Sequence, residues 1–135
     1  MFVLDTSVAM AWCFEDEATG ATEAVLDRLC DEHGVVPAIW PLEVANVLLV
    51  AERRSRLSEA QASRFLELLA QLPIDVDGSA TDMAGPVAAG RRHTLSSYDA
   101  SYLMLAERLG LALATLDRPL AKAARKSGVQ LMVKP

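Results

Sequence analysis

Three acidic residues of this chain lie close to apolar runs. Two of them come after an apolar run, and the third lies near the start of the helix expected after another. Asp5 comes directly after the apolar run at residues 2–4, and Asp117 follows a later apolar stretch. Glu43 falls in the first turn of the helix expected after residues 35–39. Carboxylates at such positions can cap a helix, attack a phosphate as a nucleophile or bind a metal ion.

A helix cap is the simplest interpretation of each acid taken alone. Asp5 and Asp117 stand where N-cap residues stand, and Glu43 is a first-turn acid that the helix dipole favours. Asp99 comes three residues after Ser96, which is the spacing of a capping box. The cap therefore stays open as an interpretation at all four positions.

Two of the acids are expected on the core side of their helices. Glu43 shares a helix face with Val47, and Asp99 lies on the same side as Leu103. A carboxylate on an apolar face is costly unless it is paired, and no lysine or arginine is close in sequence to either acid. A divalent cation shared by several acids would remove this cost, and oxygen ligands of this kind suit Mg²⁺ or Mn²⁺.

The elements that would position these acids alternate between strands and helices. Strands are expected at residues 2–4, 35–39, 74–76, 111–115 and 129–133. Helices are expected from residue 6 to about 14, at 18–33 with Gly34 as the C-terminal cap, at 41–54, after Ser58, and at 80–92, 98–109 and 118–126. This alternation predicts an α/β sandwich with a parallel sheet covered on both faces. Ligands gather beyond the carboxyl ends of such strands, which is where Asp5, Glu43 and Asp117 are expected.

Length and charge limit the class of protein. The chain has 135 residues, of which 52% are hydrophobic, and this suits one domain over residues 1–135 with a real core. The net charge of −5 argues against a surface that binds nucleic acid over its whole area, but it leaves room for a local basic patch. The two cysteines lack the spacing of a zinc site. No apolar stretch approaches the ~20 residues of a spanning helix, so we expect a cytoplasmic protein with no membrane partner.

Four blocks of the sequence carry these acids and their polar neighbours. In chain order they read VLDTSV, WPLEVANVLL, SSYDASYLMLAERLG and LATLDRPLAKAA. Together the blocks resemble PIN-domain nucleases, and in particular the VapC-type toxins of bacterial toxin–antitoxin pairs. The resemblance covers essentially the whole chain and implies a PIN-like three-layer sandwich with a central, mainly parallel sheet flanked by helices.

The resemblance implies hydrolysis of RNA phosphodiester bonds with the help of Mg²⁺ or Mn²⁺, which would activate a water and neutralise charge on the phosphate. The family's acidic constellation falls on Asp5, Glu43, Asp99 and Asp117. The three aspartates are expected to contact metal directly or through water, and Glu43 to bind metal or orient the water. Asp99 joins the set on this resemblance alone, since no clear strand precedes it. The supporting polar residues are expected to be Thr6, Asn46 and Thr115.

The number of ions stays open between one and two. Some relatives carry a further acid just after the last one, where this chain has Arg118 and Pro119. Arg118 is instead a candidate for binding the RNA backbone, together with Arg53 and Arg54.

The resemblance also implies a homodimer that binds a cognate antitoxin. Trp12, Phe14 and Trp40 would be either an apolar surface for a partner helix or part of the core. Two other functions stay open: a catalytically silent binding module with a structural cation, and a metal-dependent phosphatase. The sequence does not name the RNA that would be cut.

Overall fold

The computed structural model describes residues 1–79 and 82–135, and within them the chain forms four strands and seven helices. Strands β1 to β4 are Phe2–Leu4, Gly34–Val36, Ile74–Val76 and Leu113–Ala114. Helices α1 to α7 are Thr6–Cys13, Gly20–Arg28, Trp40–Arg53, Glu59–Ala70, Ala84–His93, Ser97–Leu109 and Arg118–Lys126. The first two residues of the helix expected at 80–92 lie outside the described residues. The remaining helices lie where the sequence predicts them, with differences at their ends.

The four strands form one parallel sheet in the order β3-β2-β1-β4. Val3, in the middle of β1, is opposite Val35 of β2 and Leu113 of β4. All the strands point the same way, so their carboxyl ends meet at one edge of the sheet. This confirms the parallel α/β architecture expected from the sequence.

Helices cover both faces of this sheet. The three residues of β1 are all buried, although successive side chains of a strand point to opposite faces. Helix α6 packs against β1 and β4 with α5 and α7 beside it, and α1 contacts α2 and α3. The result is the three-layer sandwich that the sequence predicts.

The strand expected at residues 129–133 is reduced to a single bridge between Leu131 and Leu113. The segment still runs beside β4, because the N–H of Leu113 donates to the carbonyl of Gln130 and the N–H of Met132 donates to that of Leu113. The expected strand therefore correctly indicated a segment beside the sheet, but the prediction of a full fifth strand is wrong.

The helix expected at 18–33 ends at Arg28, and Gly34 begins β2 instead of capping that helix. Gly34 is tightly enclosed, since an added Cβ would lie 3.3 Å from Cδ2 of Leu29. Strand β2 stops at Val36, before Pro37, which has no N–H to donate to a sheet.

The aromatic residues considered as a partner surface belong to the core. Phe14 and Trp40 are buried in it, and Trp12 packs against it while its indole N–H donates to the carbonyl of Thr22 at 2.8 Å. Leu42, on the same helix as Trp40, is by contrast 68% exposed. No helix in the described part of the chain is both long and apolar enough to cross a membrane.

Candidate active site

Asp5 occupies the N-cap position of α1, but its carboxylate does not cap that helix. Its Oδ2 atom accepts hydrogen bonds from the hydroxyls of Ser7 at 2.6 Å and Thr115 at 2.7 Å. The residue is only 5% exposed. The cap interpretation is therefore wrong for Asp5, which is a buried carboxylate fixed by two hydroxyl donors.

The same two hydroxyls bind the segment that follows β4. The N–H of Leu116 donates to Oγ of Ser7 at 2.9 Å, and the N–H of Asp117 donates to Oγ1 of Thr115 at 3.0 Å. Each hydroxyl thus donates to Asp5 and accepts from the backbone leading into α7. The sequence pointed to Thr115 as a supporting residue but did not single out Ser7 for this role.

Asp117 is the N-cap of α7, and its Oδ1 atom accepts from the N–H of Leu120 at 3.2 Å. The cap interpretation is therefore correct here. It does not exclude a second role, because the cap occupies one carboxylate oxygen and the side chain is half-buried at the carboxyl edge of the sheet.

Glu43 lies in the first turn of α3, as the sequence predicts. Its Oε1 atom accepts a hydrogen bond from the hydroxyl of Tyr102 at 2.5 Å and a longer one from Thr6 at 3.3 Å. The hydroxyls of Thr6 and Tyr102 are themselves 2.8 Å apart. Thr6 therefore contacts both Glu43 and the tyrosine that donates to it.

Tyr102 is a site residue that the sequence reasoning missed. It is fully buried on α6, three residues after Asp99 and hence on the same side of the helix. Burial and the hydrogen bond to Glu43 raise the pKa of its hydroxyl above the usual value, so it stays a donor. The sequence did carry a signal for this role of Tyr102: its hydroxyl stands on an otherwise apolar helix face, close to an acid.

Asp99 lies in the first turn of α6, whose N-cap is Ser96: the N–H of Asp99 donates to Oγ of Ser96 at 3.1 Å. Its side chain is half-buried, and the residue one turn further, Leu103, is fully buried. The predicted core-side position of Asp99 is confirmed.

The electrostatics of the four acids connect them. Burial raises the pKa of Asp5 above its usual value, the hydroxyls that bind it oppose this rise, and the charges of Glu43 and Asp117 add to it. Burial likewise raises the pKa of Asp99, and the charges of Asp117 and Asp5 add to this rise. The acids are therefore near enough for their charges to disfavour the ionised forms of Asp5 and Asp99.

No cation compensates this negative charge within residues 1–79 and 82–135, where none of the four acids forms an ion pair. In the same residues, no three acidic, histidine or cysteine side chains are already arranged as a set of metal ligands. Hydroxyl donors hold Oδ2 of Asp5 and Oε1 of Glu43, while the carboxylates repel one another. An uncompensated group of carboxylate oxygens nevertheless fits a hard divalent cation in charge and in donor type.

The other predicted residues differ in their distance from the acids. Asn46 is exposed on α3, about one turn beyond Glu43. Arg118 is exposed and directly follows Asp117. Arg53 and Arg54 end α3, about 15 Å along the helix axis from Glu43 at 1.5 Å per residue. The structure thus brings Arg118 to the acids but not Arg53 or Arg54.

Comparisons with known proteins agree with this fold. A family model for the PIN domain matches residues 2–126. Ribonuclease VapC3 of Pyrobaculum aerophilum is 34% identical over 122 residues, which cover 89% of this chain and 92% of that protein. Ribonuclease VapC3 of Mycobacterium tuberculosis is 39% identical over 100 residues, covering 74% and 72% respectively. A crystal structure of a Pyrobaculum aerophilum protein has a TM-score of 0.71 at 25% identity, covering 90% of this chain and 83% of that one. The chain belongs to the PIN domain family.

Proposed function

We propose that this protein is a metal-dependent endoribonuclease that acts as the toxin of a type II toxin–antitoxin pair. The observation that carries the proposal is the buried carboxylate of Asp5, whose ionisation is disfavoured by Glu43 and Asp117 and which has no counter-charge among the described residues. The relatives named as ribonucleases support RNA as the substrate.

The three aspartates would hold the metal. A bound Mg²⁺ or Mn²⁺ would supply an activated water and neutralise the charge that develops on the phosphate. Ser7 and Thr115 fix one oxygen of Asp5 and so determine which way the carboxylate faces. Asp117 is oriented by its cap to Leu120, and Asp99 by its place in the first turn of α6.

Glu43 would bind the metal or orient the attacking water. Tyr102 holds its Oε1 atom from the opposite helix, so the carboxylate keeps one direction without a cation beside it. Asn46, about one turn along α3, is exposed to solvent, so it would contact the substrate or a water molecule rather than hold one of the acids.

The partner proposals rest on the VapC-type resemblance. They are a cognate antitoxin and a second copy of this chain, and the cytoplasmic location also stays a prediction from the sequence. With Phe14 and Trp40 in the core, exposed leucines of α3 such as Leu42 and Leu49 are the apolar groups available to a partner helix.

The test is cleavage of a panel of transfer, ribosomal and messenger RNAs with Mg²⁺ or Mn²⁺, and with EDTA. The proposal expects cleavage only with metal. Hydrolysis of a phosphate monoester such as p-nitrophenyl phosphate, without RNA cleavage, would indicate the phosphatase instead. Stabilisation by Mn²⁺ without any hydrolysis would indicate a binding module with a structural cation.

A further inference from the structure

A groove of about 500 Å³ lies between the end of α5 and one face of α7. We call it the basic groove. Its charged and titratable lining residues are Arg92, His93, Arg118, Lys122 and Lys126. Among the described residues, no acidic side chain lines it. The groove therefore has one sign of charge, on a chain whose net charge is −5.

The wall formed by α5 contacts the end of α7 through one side chain. Thr94 ends α5 in the left-handed conformation, at φ 54°, and the N–H of the next residue, Leu95, donates to the carbonyl of Gly90 at 3.0 Å. His93 lies with its Nε2 atom 3.5 Å from Oγ of Ser127, which caps the end of α7. The two walls are thus connected at the far end of the groove.

The wall formed by α7 carries a row of cations. Arg118, Lys122 and Lys126 are four residues apart, so they share one helix face and span about 12 Å along the axis at 1.5 Å per residue. All three are exposed, and within the described residues none forms an ion pair. By contrast, Arg56 and Arg108 are paired with acids.

The basic groove begins one residue beyond Asp117, since Arg118 is one of its lining residues. Arg118 directly follows Asp117, so the row of cations leads away from the carboxylates along α7. A polyanion lying in the groove would have its nearest phosphate beside the acids. Its charge would be neutralised by fixed cations at the place where the acids alone would repel it.

We infer that the basic groove binds the sugar-phosphate backbone of the RNA next to the scissile bond and sets the path of the strand into the acidic site. This inference rests on the proposed ribonuclease function. A backbone bound by cations alone is recognised without regard to its bases. The groove therefore contributes affinity for RNA and positions the strand, and we expect it, instead of Arg53 and Arg54, to be the main RNA contact.

The test uses variants away from the acids, so that the metal site is undisturbed. Binding of a fluorescein-labelled single-stranded RNA is measured by anisotropy in EDTA, between 50 and 200 mM salt, for Arg92→Gln/Lys122→Gln. We expect weaker binding and a flatter salt dependence, by about 0.7 in the slope of log K against log salt for each cation removed. Cleavage with Mn²⁺ should show a raised KM with kcat largely kept.

The matched control is Arg64→Gln/Arg125→Gln, which removes the same charge from exposed positions outside the groove. We expect its salt slope to equal that of the wild type. Equal losses from the two double variants would mean that only overall charge matters, and the inference would be overturned. A loss confined to Arg53→Gln/Arg54→Gln would overturn it too.

Two further results separate this inference from its alternatives. If no variant and no wild-type sample cuts RNA with metal while the groove variants still lose RNA binding, the proposed function fails, and with it the position next to a scissile bond, but the groove is still a site for the RNA backbone. If polyglutamate binding is lost in the groove variants while RNA binding is unchanged, the groove is a site for an acidic protein segment, and the inference fails.

Discussion

The hydroxyl of Tyr102 on α6 donates a 2.5 Å hydrogen bond to Glu43 on α3. The bond joins two helices that are far apart in the sequence and fixes a carboxylate that has no cation beside it in the described residues. Because burial and this bond raise the pKa of Tyr102 above its usual value, the phenol remains protonated and keeps the hydrogen that it donates to Glu43. Tyr102 is therefore a positioning residue for Glu43.

The variant Tyr102→Phe should uncouple Glu43 from α6. It removes the donor to Glu43 and leaves Thr6 without its closest hydroxyl partner. We expect the free energy of unfolding to fall by about 1.5–3 kcal/mol, which is the range for a hydrogen bond to a charged group such as Glu43. If Glu43 orients water, kcat for RNA cleavage should fall while KM changes little. Urea denaturation and steady-state kinetics measure the two effects.

Tyr98→Phe is the control for this variant, since Tyr98 is on the same helix and 58% exposed. It should change neither stability nor cleavage. A Tyr102→Phe enzyme that loses stability but keeps the wild-type kcat would reduce Tyr102 to a purely structural residue.

Asp5→Asn should make the metal-free protein as stable as the wild type or more stable at neutral pH. The amide oxygen of Asn can accept from both Ser7 and Thr115, whereas the ionised carboxylate is disfavoured by burial. A pKa that is raised on folding means that the folded state binds the proton more tightly, so wild-type stability falls as pH rises from 3.8 to the folded pKa. The advantage of Asp5→Asn should therefore shrink as the pH is lowered toward 4.

Thermal unfolding in EDTA at several pH values measures this difference. The exposed acid Asp31, replaced by Asn, provides the control for removing one carboxylate from the surface. An advantage of Asp5→Asn that grows on acidification would have the wrong sign for a buried carboxylate.

Thr115→Val should weaken metal binding about 10- to 100-fold, the usual cost of losing a group that orients a ligand. The change keeps the side-chain shape but removes a donor to Asp5 and the acceptor for the N–H of Asp117. Isothermal titration calorimetry with Mn²⁺ measures the affinity. Thr22→Val is the matched control: Thr22 is also fully buried, and its hydroxyl is also hydrogen-bonded, but to the backbone of Thr19, the N-cap of α2. It should lower stability without changing the affinity for metal.

The sequence predicted the placement of Asp5 and Asp117 because both follow strands, and parallel strands end at one edge of a sheet. It could not distinguish their local roles. The two residues stand at equivalent N-cap positions, yet only Asp117 caps its helix. The difference depends on the hydroxyls of Ser7 and Thr115, which approach Asp5 from segments that are distant in the chain from one another.

Other features depended on packing that no local pattern describes. Gly34 has the residue type of a helix cap, but it lies in a strand, where an added Cβ would be 3.3 Å from Cδ2 of Leu29 and would press on that side chain. Arg53 and Arg54 form a basic cluster in the sequence, but α3 carries them away from the acids. Lys122 and Arg92, which are far apart in sequence, meet in one groove.

The most direct test of the metal site is RNA cleavage by Asp5→Asn beside its thermal stability with Mn²⁺ and with EDTA. The wild type should cut RNA only with metal, and Mn²⁺ at about 100 times its Kd should add about 2.7 kcal/mol to its stability. Asp5→Asn should be folded, should not cut, and should gain much less from Mn²⁺. Cleavage at the wild-type rate by Asp5→Asn, with an equal gain from metal, would contradict the account.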